Sequence, residues 1–404
     1  MQEKIIFHVD VNSAFLSWEA VYRKEVLGDT LDLRTIPSAV GGDTTKRHGI
    51  ILAKSTPAKK YNIQTGEPIH QALLKCPELL LVPPNRTLYE ECSQSLLNLL
   101  HQYTPEIEPF SIDEAFLDMT GANLGASPLK AAYSIKDRVK NELGFTVNIG
   151  ISSNKLLAKM ASDFQKPDMV HTLFTSEIPD KMWPLPLEEL YLVGRSTSKI
   201  LHDLGLKTIG DIAHTDVRIL KAHLGNKHGQ VIYEYAHGIN NDSVESKESP
   251  NKGYGNSTTL SKDVTDYETA NLVLLSLSET VSSRLRAGDV KCSCITVELT
   301  DCEFNHQTHQ TTLLSPTNTT NIIFETACRL LTEFWDGTPI RLLGIRTTKL
   351  TSEDYTQMNL FDMVKNEKLE KLDKALDSIR NKFGTDAIKR ARFIDPKQEA
   401  KQDE

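Results

Sequence analysis

Residues 241–252, Asn-Asp-Ser-Val-Glu-Ser-Lys-Glu-Ser-Pro-Asn-Lys, hold almost no side chain able to join a core. A run this polar reads as a linker and divides the chain into bodies that must each bury their own apolar surface. Before it, periodicity predicts a strand over 4–10 and a helix from about Asn12 with Ala14, Trp18, Val21 and Tyr22 on one face. A helical stretch 86–103, a strand pair 106–110 and 114–118, a helix 129–142 and a strand 146–151 follow. That β-α-β-β-α-β order describes a ferredoxin-like sheet with helices on one face, interrupted by an insert of residues 31–78. Residues 171–240 read as a small all-helical domain with two helix–Gly–helix units, around Gly194 and around Gly225.

Beyond the linker the same order recurs: strand 254–260, a helix with Ala270, Leu274, Leu277, Val281 and Leu285, strands 291–299 and 308–314, helix 320–335 and strand 340–349. A polar segment follows, then a helix over 366–383 with Leu369, Leu372, Leu376 and Ile379, stopped by Gly384. Core packing is the first reading of its stripe and partner binding the second. The expected fold class is α+β and multidomain.

The 46 Lys and Arg against 54 Asp and Glu leave a net charge of −8, so nucleic acid would have to meet locally concentrated base. Residues 44–60 hold Lys46, Arg47, Lys54, Lys59 and Lys60 with no acid, and 365–404 hold eleven basic against nine acidic residues. Apolar runs such as Ile50–Ala53 are far short of a membrane span, and Met1-Gln-Glu-Lys runs into a strand-like segment with no secretory pattern. A cytoplasmic protein is expected. The six cysteines, at 76, 92, 292, 294, 302 and 328, are too sparse for a disulfide scaffold. Zinc on Cys292, Cys294, Cys302, His306 and His309 is disfavoured, because no paired CxxC accompanies them.

Asp10 ends a strand and Asp113-Glu114 occupies a hairpin whose second strand neighbours the first in a ferredoxin-like sheet. Three gathered acids repel one another, and divalent metal relieves the repulsion. Oxygen-only ligands suit magnesium bridging substrate phosphates, in a two-metal phosphoryl transfer; manganese accepts the same donors.

The segments His8-Val9-Asp10-Val11-Asn12-Ser13-Ala14-Phe15 and Ser111-Ile112-Asp113-Glu114-Ala115-Phe116-Leu117-Asp118 resemble those of the Y-family DNA polymerases, the DNA polymerase IV group in particular. The match covers nearly the whole chain. It implies a palm (1–30 and 79–170), fingers (31–78), a thumb (171–240), the linker (241–252), a little finger (253–350) and a C-terminal tail (351–404). The implied activity is template-directed, error-prone synthesis across damaged DNA without proofreading. Asp10, Asp113 and Glu114 match the metal ligands, with the Val11 carbonyl as a further one. Phe15 matches an aromatic residue that excludes a ribose 2′-hydroxyl; it falls off the clean Ala14, Trp18, Val21 stripe. Thr56, Lys59 and Lys166 match the nucleotide-binding positions, with Thr56 in place of the usual tyrosine and Lys59 in place of the usual arginine fork. Asn12 stands where many members have a second aspartate.

Gly194 and Arg195 resemble a helix-hairpin-helix, in which backbone N–H groups meet a DNA phosphate, and Lys227 sits in the second Gly unit. Ser257, Arg284 and Arg286 offer groups for DNA backbones, together with Thr258 and Ser282. Residues 253–350 nonetheless carry eight basic and eleven acidic residues, so low processivity is expected without a tether. Gln357-Met358-Asn359-Leu360-Phe361 resembles the peptide with which bacterial polymerases dock on the sliding clamp; Gln357, Leu360 and Phe361 are its anchors. The partners implied are primer–template DNA, deoxynucleoside triphosphates and the clamp, with no membrane, for a monomer. Two rivals stand beside this reading. One is a catalytically silent relative acting as a clamp-bound scaffold, which Thr56 and Lys59 favour. The other, a palm-type nucleotidyl cyclase, leaves the Gly units, the second sheet and the clamp-like peptide unexplained.

Overall fold

The computed structural model describes residues 4–42, 49–122, 127–246, 250–352, 363–384 and 387–393. They form two compact units, one with the described residues up to 246 and the other with those from 250 on. Among the described residues no helix is long and apolar enough to cross a membrane.

The first unit opens with β1 (Ile6–Val11), buried at all six positions, and α1 (Ala14–Glu25). Three short strands, β2 (Ser38–Gly41), β3 (Ile51–Lys54) and, after the short helices α2 (Thr56–Lys59) and α3 (Ile69–Lys75), β4 (Leu80–Val82), make a separate sheet in the order β3-β2-β4. This sheet takes in Leu80–Val82, just past residue 78 where the insert was expected to end, because β4 pairs in parallel with β2. The chain then forms α4 (Arg86–Leu100), β5 (Ile107–Pro109), β6 (Glu114–Asp118), α5 (Pro128–Arg138), β7 (Val147–Ser152), α6 (Lys155–Asp163) and β8 (Val170–Thr172). Side-chain caps start three of the helices: Asn85 accepts from the Leu88 N–H, Ser127 from Lys130 and Asn154 from Leu157.

The main sheet runs β5-β6-β1-β7-β8. Its first four strands have the ferredoxin-like order, with β1 antiparallel to both neighbours. α6 lies directly on it at Gly150 of β7, where a Cβ would collide with the Ala158 carbonyl oxygen and come within 2.5 Å of the Ser162 backbone nitrogen. Five further helices follow, α7 (Ile178–Lys181), α8 (Arg195–Asp203), α9 (Ile209–His214), α10 (Val217–Leu224) and α11 (Asn226–Ala236). Their core, including Leu201, Ile212 and Ile232, is shared with Leu156, Leu157 and Met160 of α6. The segment expected to be a free linker is anchored at its start. Val244 packs on Ile6, Phe116 and Ala158, and the Glu245 N–H donates to the Glu108 carboxylate at 2.8 Å. One valine, with polar contacts on either side of it, seats the run.

The second unit contains β9 (Gly253–Val264), α12 (Tyr267–Ala287), β10 (Lys291–Asp301), β11 (His306–Thr317), α13 (Thr320–Phe334), β12 (Ile340–Thr351) and α14 (Met363–Phe383). The order of elements repeats that of the first unit, but the sheet runs β11-β10-β12-β9, all antiparallel. The first strand is now at an edge and the last is inside. Both helices α12 and α13 pack on one face, over Ile295, Val297, Leu299, Leu343 and Ile345.

α14 departs from its expected packing. Leu372 and Ile379 are exposed, whereas Asp373 is buried. The helix is held by charge: Arg286 of α12 pairs with Asp377 at 2.6 Å and with Asp373 at 3.2 Å, and Glu279 takes Arg380 at 3.2 Å and Arg390 at 2.7 Å. An apolar stripe announces packing only if the helix lands on it, and here the carboxylate ridge meets a guanidinium first.

Two outcomes follow from this packing. Gly150→Ala is expected to cost about 3 kcal/mol by forcing α6 off the sheet, read as a fall in the denaturant midpoint. Arg286→Met is expected to cost about 2–3 kcal/mol by leaving buried Asp373 with only the Thr320 N–H and the more distant Arg390, and adding Asp373→Asn is expected to recover part of the lost Tm.

Candidate active site

Sheet pairing, not side-chain contact, gathers the acids. Asp10 stands in register opposite Glu114 across β1 and β6, and the Val11 N–H donates to the Asp113 carbonyl at 3.0 Å. Asp10 is 7% exposed. Asp113, in the turn before β6, accepts the Ser111 hydroxyl at 2.7 Å.

Neither Asp10 nor Glu114 is bare. The Lys166 ammonium sits on Asp10 and reaches Asp163 at 2.8 Å. The Lys159 ammonium sits 2.6 Å from Glu114 Oε2, and Nε2 of the wholly buried His8 lies 3.4 Å from the same oxygen, long for a hydrogen bond. His8 Nδ1 shares a hydrogen bond of 2.8 Å with the Ser162 hydroxyl. Burial pushes the Asp10 carboxyl up to about 6, against the pull of Lys166. Burial acts in the same direction on Glu114, but His8 and Lys159 outweigh it and hold that carboxyl down at about 2. Burial also lowers the His8 imidazole, which stays neutral at pH 7.

Every donor offered here is a hard oxygen, from Asp10, Asp113, Glu114 and the Val11 carbonyl. Among the described residues no three His, Cys, Asp or Glu side chains converge into a ready cage, since two of the acids are turned onto lysines. The residues fit a divalent cation of the magnesium type: adjacent carboxylates on a rigid sheet that already draw positive charge to themselves.

Next to the acids lies a cavity of about 180 Å³ whose walls include Val11, Asn12, Arg34, Thr56, Lys59 and Lys166. The structure thus brings three of the four expected nucleotide-binding residues, Thr56, Lys59 and Lys166, to one space with the strand that bears Asp10. It adds Arg34, which the sequence reading missed. Its guanidinium is held in plane by Asp32 (2.9 and 2.7 Å) and by the Gly144 carbonyl (2.7 Å). Asn12 is a buried hub: its side-chain amide donates to Asn148 Oδ1 at 3.1 Å, and its Oδ1 accepts from the Thr146 hydroxyl at 3.0 Å and the Asp168 N–H at 2.9 Å. Asn148 in turn donates to the Gln165 carbonyl at 2.7 Å. Asn12 therefore fixes the loop that carries Lys166. Phe15 is half-buried and stacked on Tyr89, ring centroids 4.5 Å apart, and does not itself line the cavity.

The other expected residues are spread out. Gly194 precedes α8 and Gly225 precedes α11, and neither helix has a side-chain N-cap, so both first turns keep N–H groups to offer. Thr197 and His228, 3.1 Å apart, tie the two turns together, with Arg195 and Lys227 exposed beside them. In the second unit Ser257 lies opposite Gly344, and the exposed Arg284 donates to the Gly255 carbonyl at 3.2 Å. Arg286, expected to contact DNA, is buried against α14 with its guanidinium taken by carboxylates. The register instead puts Arg346, exposed, in a row with Gly255, Thr296 and Gln310 on the sheet face away from α12 and α13. No helical pattern signals such a residue; alternation from Ile345, which points into the core, does. Gln357, Leu360 and Phe361 lie outside the described residues.

The chain matches the model of the impB/mucB/samB family over residues 9–163, the C-terminal domain of that family over 251–360, and the thumb domain of DNA polymerase-iota over 189–240. It is 47% identical to the DNA polymerase IV of Clostridium acetobutylicum, across 97% of this chain and 98% of that protein. It is 35% identical to DNA polymerase IV 1 of Bacillus subtilis, across 99% and 95%. A solved Y-family DNA polymerase chimera shares its fold at a TM-score of 0.72 and 22% identity, over 86% of this chain and 100% of that one. With relatives this similar matched from end to end, the chain belongs to the Y-family DNA polymerases, within the DNA polymerase IV group.

Proposed function

We infer that this chain is a DNA-directed DNA polymerase that extends a primer across damaged template, without proofreading, using two magnesium ions. The observation that carries the reading is the Asp10–Glu114 register pair, with Asp113 beside it, bordering a cavity whose cationic wall is Lys59, Lys166 and Arg34. Asp10, Asp113, Glu114 and the Val11 carbonyl are the groups that would hold the ions. When bound, the ions activate the primer 3′-hydroxyl and neutralise charge on the departing pyrophosphate.

The protein's own part is positioning and charge. Lys166, freed from Asp10, turns to the triphosphate together with Lys59, and Thr56 adds a hydroxyl. Arg34, its guanidinium engaged by Asp32 and the Gly144 carbonyl, shapes the wall beside Lys59. Phe15, braced by Tyr89, is the residue to exclude a ribose 2′-hydroxyl. The uncapped turns at Gly194 and Gly225, with Arg195 and Lys227, take duplex phosphates without reading sequence. Ser257, Arg284 and Arg346 do the same from the second unit, and Arg286 serves α14 instead. Gln357, Leu360 and Phe361 tether the enzyme, as a cytoplasmic monomer, to the sliding clamp.

Primer extension with magnesium and all four deoxynucleotides tests the reading. Short, distributive extension is expected from the wild type, and Asp113→Ala is expected to lower it at least about a hundredfold. No extension by the wild type, even with clamp and excess nucleotide, would replace the polymerase reading with the scaffold. Lys166→Ala is expected to raise the KM for deoxynucleotides about tenfold or more, the loss of a charge-assisted contact. Phe15→Ala is expected to admit ribonucleotides that the wild type rejects, read as extension with ribonucleotides alone.

A further inference from the structure

The lysines on the acids form a series. Lys155 holds Glu108 of β5 at 2.6 Å, Lys159 holds Glu114 of β6 at 2.6 Å, and Lys166 holds Asp10 of β1. β5, β6 and β1 are successive strands of the sheet. Lys155 and Lys159 are one turn apart on α6, which Gly150 lets lie on the sheet, so the ladder follows from backbone placement. Each rung has a second seat: Asp163 for Lys166, the Phe116 ring, its centroid 5.0 Å away, for Lys155, and two rings for Lys159. The Lys159 ammonium lies 5.0 Å from the Phe110 ring centroid and 5.9 Å from that of Tyr191, and it lines a second cavity of about 180 Å³ with both. A lysine with π faces beside it keeps a partner after giving up a carboxylate.

We propose that Lys159 is a positioning residue that stands in for a divalent cation at Glu114: its ammonium holds the carboxylate in place in the metal-free protein and withdraws toward Phe110 and Tyr191 when a cation binds. The inference rests on the reading of Asp10, Asp113 and Glu114 as the metal-binding set. It makes cation binding an exchange of positive charges, in which the sheet never carries an uncompensated Glu114. Lys155 differs, because its partner Glu108 is not among the metal-binding acids and also accepts the Glu245 N–H.

The test is Mn2+ binding by the full chain without DNA or nucleotide, followed by electron paramagnetic resonance, with melting curves in chelator and in Mn2+. Lys159→Met, which removes the competitor, is expected to tighten Mn2+ binding about three- to tenfold, to melt lower in chelator and to gain more Tm from Mn2+ than the wild type. Lys159→Gln carries the same expectation should the methionine variant fail to fold. Lys159→Arg restores wild-type affinity, and Lys155→Met leaves affinity unchanged. Glu114→Gln weakens binding and erases the effect of Lys159→Met. Unchanged affinity in Lys159→Met and Lys159→Gln, while Glu114→Gln still weakens binding, overturns the stand-in and leaves the metal reading intact. Absence of Mn2+ binding, or indifference to Glu114→Gln, overturns the metal reading and the stand-in with it.

Discussion

The candidate site hangs on β1, a six-residue strand buried on both sides and paired antiparallel with two neighbours. A slip of one residue would exchange Phe7, Val9 and Val11, packed in the main core, with Ile6, His8 and Asp10 on the α6 side, so the register is strongly specified. The same pairing that sets Asp10 opposite Glu114 sets Val11 beside Asp113 and puts Asn12 where it ties down the loop carrying Lys166. Flexible side chains meet because a rigid backbone leaves them little choice.

That rigidity carries an electrostatic burden. Burial alone would drive both Asp10 and Glu114 toward neutrality, and the protein answers with lysines drawn from one helix and the loop after it. The second unit uses the same device for another end, setting Arg286 against Asp373 and Asp377 to hold a helix whose Leu372 and Ile379 stay exposed. In both places, oppositely charged partners fix an orientation that apolar packing alone would leave loose.

The acids were legible because a strand end and a hairpin are local patterns, and the order of elements places them on neighbouring strands. Lys155 and Lys159 were not, since two lysines at helical spacing look like a solvated face until the sheet beneath is known. Arg34 was hidden in an irregular stretch, where its Asp32 partner is only two residues away but the Gly144 carbonyl is not. Arg286 was read as a DNA contact because composition cannot tell which neighbour a guanidinium will find. Arg346 needed strand register. The anchoring of residues 243–246 joined one apolar side chain, Val244, to a backbone bond at Glu245, in a segment whose polarity argued for freedom.

The two sheets share the order β-α-β-β-α-β, and that order is a palindrome. Read from its C-terminus, the second sheet has the pairing that the first four strands of the first unit's main sheet show from their N-terminus: the inner hairpin strand lies beside the N-terminal strand, β1, in the first and beside the C-terminal strand, β12, in the second. Tandem duplication copies pairing along with order, so it does not produce this reversal. Residues at matching places in the two patterns therefore sit beside different strands and have no reason to share a role.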